Sequence, residues 1–268
     1  MLQRLNSIST IVRVIPTTGS MPVVVMAEDY EDYACKYDSK GKLINEYLAH
    51  QFLEIWGLNT FPAAFVQISP DHIPDNILNG RIQRPMFEKP SFGLRYDNDA
   101  GEINEALIGL RNESYELRKF PNRFDLMNIG LSDLWLANDD RNQNYNLLTR
   151  GSEFVPIDHS TIFDGNRLGE QLSQLTWEDS ILNTDLAITF LNSRQKRENR
   201  HAELLAQFPT FVADCRQALP ALIKNLPVEW CDNKAELEQN ILASVMDNEI
   251  WLQQTIATFS ELIHNFNR

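Results

Sequence analysis

The 268-residue chain carries 24 Lys and Arg against 37 Asp and Glu, a formal net charge of −13. A surface so acidic repels nucleic-acid phosphates and anionic lipid, which argues against both as partners. With 43% hydrophobic and 23% charged residues, the composition is that of a folded globular protein and excludes disorder as the starting assumption.

The opening stretch, MLQRLNSISTIVRVIP, is interrupted by Arg4 and Arg13 and lacks the continuous apolar core of a signal peptide. It reads as a strand. No apolar run approaches the ~20 residues a bilayer span needs. STIVRVIP and MPVVVMAEDY are β-branched runs parted by the turn-forming TTGS, and YACKY alternates as a further strand. LINEYLAHQFLEIWGL then places Leu43, Tyr47, Leu48, Phe52, Ile55 and Trp56 at helical spacing, with Gly57 as the stop. TFPAAFVQISPD reads as a strand. Residues 74–102 concentrate Pro and Gly and read as the connection between two lobes. RFDLMNIGLSDLWLAN predicts a helix, NDDRNQN a turn, and YNLLTR and EFVPIDH two short strands. From about residue 167 helical periodicity dominates. RQKRENR at 194–200 reads as a solvated loop or a helix start. Cys35, Cys215 and Cys231 are too few and too scattered for a disulfide framework, and point to a reducing cytoplasm.

Strands crowd the first third and helices the rest, which predicts an α+β fold. Its β-rich N-terminal lobe spans 1–95 and its helical C-terminal lobe 96–268. A hairpin of the two short strands brings Asp139, Asp140, Asn144, Asn146 and Asp158 to one end. Carboxylate and amide oxygens are the hard donors that Mg²⁺ prefers, and a carboxylate left off the metal can orient a hydroxyl. Asp and Asn are also the commonest turn residues, so this cluster alone does not decide. Lys36 at a strand end and Glu46 on the following helix add a second element. A strand lysine held by a helix glutamate positions nucleotide phosphates in kinases. GxGxxG and GxxxxGK[ST] are both absent, which argues against dinucleotide and P-loop folds.

Over most of residues 10–165 the chain resembles the HipA-like kinase family, which shares its catalytic layout with phosphoinositide kinases. The resemblance is carried by CKYDSKGKLINEYLAHQFLEIWGLNTFPAAFVQI, LWLANDDRNQNYNLL and VPIDHSTIF. It implies a two-lobed protein-kinase-like fold using ATP and Mg²⁺. Lys36 would bind the ATP phosphates, Glu46 would pair with it, Asp140 would be the catalytic Asp, and Asp158 would hold metal. The family's metal-binding Asn stands five residues after the catalytic Asp, where this chain has Tyr145. Asn144 is preferred, because NYNL matches after one deletion, with Asn146 close behind; Asp139, five before Asn144, is the alternative catalytic Asp. The TTGSMP turn would cover the phosphates through Gly19 and Ser20, and adenine would sit near Met86 to Leu94. The expected function is phosphorylation of a hydroxyl acceptor, a protein Ser or Thr first. The alternative is a pseudokinase that binds nucleotide or a protein partner without turnover.

Overall fold

The computed structural model describes residues 1–17, 19–141 and 145–266. Short β-branched runs bounded by turns give strands β1 (Gln3–Asn6), β2 (Arg13–Val14), β3 (Val23–Met26) and β4 (Asp32–Lys36). Helix α1 (Lys40–Ile55) follows, then β5 (Ala63–Gln67) and β6 (Ser91–Arg95). They form one sheet in the order β1-β5-β6-β4-β3-β2, in which β1 runs parallel to β5 and the other pairs are antiparallel. In β4 the period of two buries Tyr33 and Cys35 and turns Ala34 and Lys36 to the opposite face. Lys36 lies opposite Phe92, and Ala34 opposite Leu94.

Strand β6 lies inside the stretch whose turn residues suggested a connection. Its pattern is short and contains Gly93, which weakens the strand signal. The glycine is there for space: a Cβ at Gly93 would lie 2.9 Å from Val66 and 3.2 Å from Cys35. Before β6, from Pro70 to Phe87, the chain makes a series of 3₁₀ turns.

Beyond β6 come β7 (Gly101–Glu102), the short helices α2 (Glu105–Ile108) and α3 (Ser114–Leu117), and α4 (Asp125–Leu136). The hairpin β8 (Leu147–Arg150) and β9 (Glu153–Pro156) forms as expected and joins β7 in a three-stranded sheet. A short turn, α5 (Ile162–Asn166), leads on to α6 (Asp185–Phe190), α7 (Arg194–Asn225), α8 (Lys234–Ile241), a π-helical turn (Leu242–Met246) and α9 (Glu249–His264). The helical expectation from 167 fails up to α6, where 3₁₀ turns stand instead. There Thr176, Ser180 and Thr184 each accept or share hydrogen bonds with nearby backbone, which competes with a continuous helix. RQKRENR is a helix start, the first turns of α7. Pro209 and Pro220 sit on the exposed side of that helix, where water can satisfy the carbonyls they free.

One core fills the N-terminal sheet around Val23, Val25, Cys35, Val66 and Ile82. A larger one fills the helical part and takes in the inner face of α1. Trp56 stacks on Trp135 of α4 with ring centroids 5.1 Å apart and on Phe211 of α7 at 4.9 Å. Helix α1 is therefore clamped between sheet and helices, which fixes the position of Glu46 relative to both. Among the described residues, no helix is long and apolar enough to cross a membrane.

Candidate active site

Lys36 ends β4, Glu46 lies mid-way along α1, and Asp158 follows β9. The fold brings all three together. The Lys36 ammonium donates to Glu46 Oε1 and, at 2.8 Å, to Asp158 Oδ1. Glu46 is 2% exposed, Lys36 13% and Asp158 35%, so the group grades from the interior to the open cleft. Burial alone would lower the Lys36 pKa, but the two carboxylates reverse this and raise it, which keeps the amine protonated. The carboxylates share that one charge unequally. Burial pushes Glu46 up, against the pull of Lys36. Burial also presses Asp158 upward, yet the Lys36 charge and hydrogen bonds outweigh it and bring Asp158 down to about 2. Asp158 has a left-handed backbone (φ 57°), a conformation Asp tolerates better than most residues. The backbone N–H of His159 donates to Glu46. The His159 ring is buried, and that burial, with the Arg141 and Lys36 charges, lowers its pKa well below the usual range.

The loop after α4 is held from beneath. Ala137 ends the helix in a left-handed conformation, and Asp133 accepts from the Asn138 amide (2.8 Å) and from Arg141 Nε (2.7 Å). The fully buried Arg141 also donates from Nη1 to the carbonyls of Tyr145, Asn146 and Ile157, at 3.2, 2.6 and 3.4 Å. One guanidinium thus ties the loop to the strand that leads into Asp158. Asn146 Nδ2 donates to the Asp140 carbonyl at 2.6 Å. Asp140 is half-buried and Asp139 exposed. Partial burial raises the Asp139 pKa, against a hydrogen bond from Thr161. Asn144 lies outside the described residues. From α1, Asn45 donates to the carbonyls of Ser160 (2.9 Å) and Ile162 (3.0 Å), pinning the segment after Asp158.

Asn45, Asp133 and Arg141 escaped the sequence reading. A faint signal existed, since Asn in mid-helix and Asp inside the apolar run of α4 are locally unfavourable and ask for partners.

A cleft of about 450 Å³ opens beside the triad. Val14, Ala34, Phe92 and Leu94 make its walls apolar, while Lys36 and Asp158 stand in its charged part. An apolar chamber with a few charged groups suits a nucleotide base with phosphates beyond it. Ser20 reaches this cleft, whereas Gly19 and Met86 line a neighbouring cavity. Of the stretch from Met86 to Leu94 where adenine was expected, Phe92 and Leu94 line this cleft and Met86 the neighbouring cavity; Tyr96 and Asp97 line the cleft as well.

A family model described as HipA-like kinase matches residues 8–263. The chain belongs to the HipA-like kinase family. This HipA-like kinase is thus a phosphotransferase by family, and the family implies use of ATP and a metal. Among solved structures, the Helicobacter pylori proinflammatory kinase CtkA aligns over 97% of this chain and 98% of its own, at 13% identity and a TM-score of 0.55, a likeness of fold. The FAT and kinase domain of CtTel1 aligns over 95% of this chain and 22% of its own, at 12% identity and a TM-score of 0.34. No curated protein matches the chain.

The family implies a metal, and the oxygen donors near the cleft are of the hard kind that a phosphate-bound cation takes. Among the described residues no three His, Cys, Asp or Glu gather as a self-sufficient metal cage. Mg²⁺ at nucleotide sites uses one or two protein oxygens plus phosphates and water instead. Asp158, ionised and facing the cleft, is a donor of that kind.

Proposed function

We propose that this HipA-like kinase uses ATP and Mg²⁺ to phosphorylate a hydroxyl acceptor, a protein Ser or Thr by preference. The observation that carries this reading is Lys36 bridging Glu46 and Asp158 at the charged end of an apolar cleft. Lys36, held by Glu46, would pair with the phosphates, under a turn containing Gly19 and Ser20. Asp158, with Asn144 or Asn146, would hold Mg²⁺, which when bound neutralises phosphate charge. Asp140, or Asp139 as the alternative, would accept the proton as the acceptor oxygen bonds to the γ-phosphorus and the bond to ADP breaks. Such catalysis is chiefly positioning and charge stabilisation. Free cysteines, two of them buried, are in keeping with a cytoplasmic setting.

Thermal unfolding with and without Mg²⁺–ATP tests the reading. Ligand at 100 times its Kd stabilises by about 2.7 kcal/mol, a shift of several degrees. The shift is expected to require metal and to vanish in Lys36→Ala and Asp158→Ala, each compared with its own ligand-free midpoint. No shift at millimolar nucleotide would sink the active-kinase reading.

The displaced metal-binding Asn, with Tyr145 five residues after Asp140, and the single glycine of the TTGSMP turn favour a second reading, a pseudokinase. Asp140→Ala separates the two. An enzyme loses turnover and keeps nucleotide affinity, whereas a pseudokinase has no turnover to lose.

A further inference from the structure

Across the Gly19–Pro22 turn from the nucleotide cleft lies a second cavity of about 580 Å³. It shares Ser20, Pro22 and Lys36 with the cleft. Four cationic side chains, Lys36, Lys42, Arg81 and Lys89, line it, with Asp38 the single anion among the described lining residues; Lys36 is already committed to Glu46 and Asp158, so the charge open to a ligand comes from the other lining cations. In a chain of net charge −13, this inverts the overall composition. The cations come from the end of β4, the first turn of α1 and two places in the long connection before β6. Tertiary structure gathers them; no basic run in the sequence does.

Asp38 is already engaged. One carboxylate oxygen takes the Lys42 ammonium at 3.0 Å and the other the Ser39 N–H at 2.7 Å. Lys89 makes no ion pair among the described residues and is half-buried. A partly desolvated ammonium gains most from an anion brought to it. Helix α1 starts at this cavity, and Ser39 caps none of its N–H groups through its side chain. Its positive dipole end adds to the cationic lining.

We propose that this cavity is an anion-recognition site that takes acidic side chains of the peptide segment bearing the phosphate acceptor. The overall charge selects a short segment over an extended polyanion. Nucleic acid or an anionic bilayer would face the whole acidic surface, whereas a few carboxylates meet the local cations alone. Sharing Lys36 and Ser20 with the cleft puts a seated segment against the end where phosphates would lie. The acceptor role rests on the kinase reading above; recognition of acid by the cavity does not.

The test measures fluorescence anisotropy of a short Ser-containing peptide flanked by Glu, and of its Gln counterpart, on the full chain with Mg²⁺ and a non-hydrolysable ATP analogue. The Glu peptide is expected to bind about tenfold tighter, a gap that closes as salt rises. The Lys42→Glu/Lys89→Glu variant is expected to lose that preference while keeping the wild-type thermal shift with nucleotide, which also shows it folded. Equal binding of both peptides, or a preference untouched by the variant, would overturn the proposal. Acid-selective binding by a wild-type protein that shows no nucleotide shift would overturn the acceptor role and with it the kinase reading, leaving an anion site alone.

Discussion

At the residue scale, the Lys36 ammonium is, among the described residues, the one cation paired with the two carboxylates of this cluster, and its removal leaves Glu46 buried without that partner. Breaking a buried pair from one side costs about 3–5 kcal/mol, whereas removing both charges costs far less. Lys36→Ala is therefore expected to lower stability by about 3 kcal/mol, and Lys36→Met combined with Glu46→Gln to restore most of it. Urea unfolding of the single and double variants measures both. The same cluster sets an acid response. Asp158 falls from 3.8 to about 2 in the folded protein, so its ionised form contributes stability in full above pH 3.8. That contribution drains away as pH falls through about 2, because the unfolded chain takes up the proton first. Asp158→Asn is expected to flatten the loss of stability between these two values, read from urea midpoints against pH. An unchanged slope would show that the Lys36–Asp158 pair does not govern the acid limb.

At the scale of elements, β6 decides the shape of the cleft proposed for nucleotide. It lies between β4 and β5, and its Phe92 and Leu94 face Lys36 and Ala34. Gly93 lets the two neighbouring strands pack without a clash. Gly93→Ala forces a methyl to 2.9 Å from Val66 and is expected to cost about 1–3 kcal/mol. Because the strand cannot shift without moving Phe92 and Leu94, nucleotide affinity is expected to fall with stability. Calorimetric titration beside thermal unfolding checks this, and a stable variant with weakened binding would show that the cleft wall yields before the core does. Here the sequence was hard to read. Five residues holding a glycine, after a Pro-rich stretch, look like a loop until their neighbours are known.

On the scale of the whole molecule, α1 belongs to both halves. Its strand-side neighbours position Glu46, while Tyr47, Phe52 and Trp56 pack into the core that contains Trp135 and Phe208. We propose that the lobes divide near residue 95, where β6 ends, and that they nonetheless unfold as one unit through α1. Near-ultraviolet dichroism, sensitive to the Trp56–Trp135 stack, and far-ultraviolet dichroism are expected to give the same midpoint. Two separated transitions would show that α1 does not couple the halves.

The sequence by itself determined the segregation of strands and helices, because β-branched runs and apolar spacing are local properties of the chain. It also marked Lys36 at a strand end, Glu46 on a helix and Asp158 beside a hairpin strand, which the structure ends two residues earlier at Pro156. Each rests on a pattern a few residues long. The pairing of Lys36 with Glu46 was expected from the resemblance; only tertiary structure decided that Asp158 joins them, since 122 positions separate it from Lys36. Burial of Arg141 beneath the loop, Asn45 holding the segment after Asp158, and the cations gathered beside the cleft were likewise settled by the fold. Contacts between distant segments depend on how helices and sheet pack, and a local pattern carries no record of that packing.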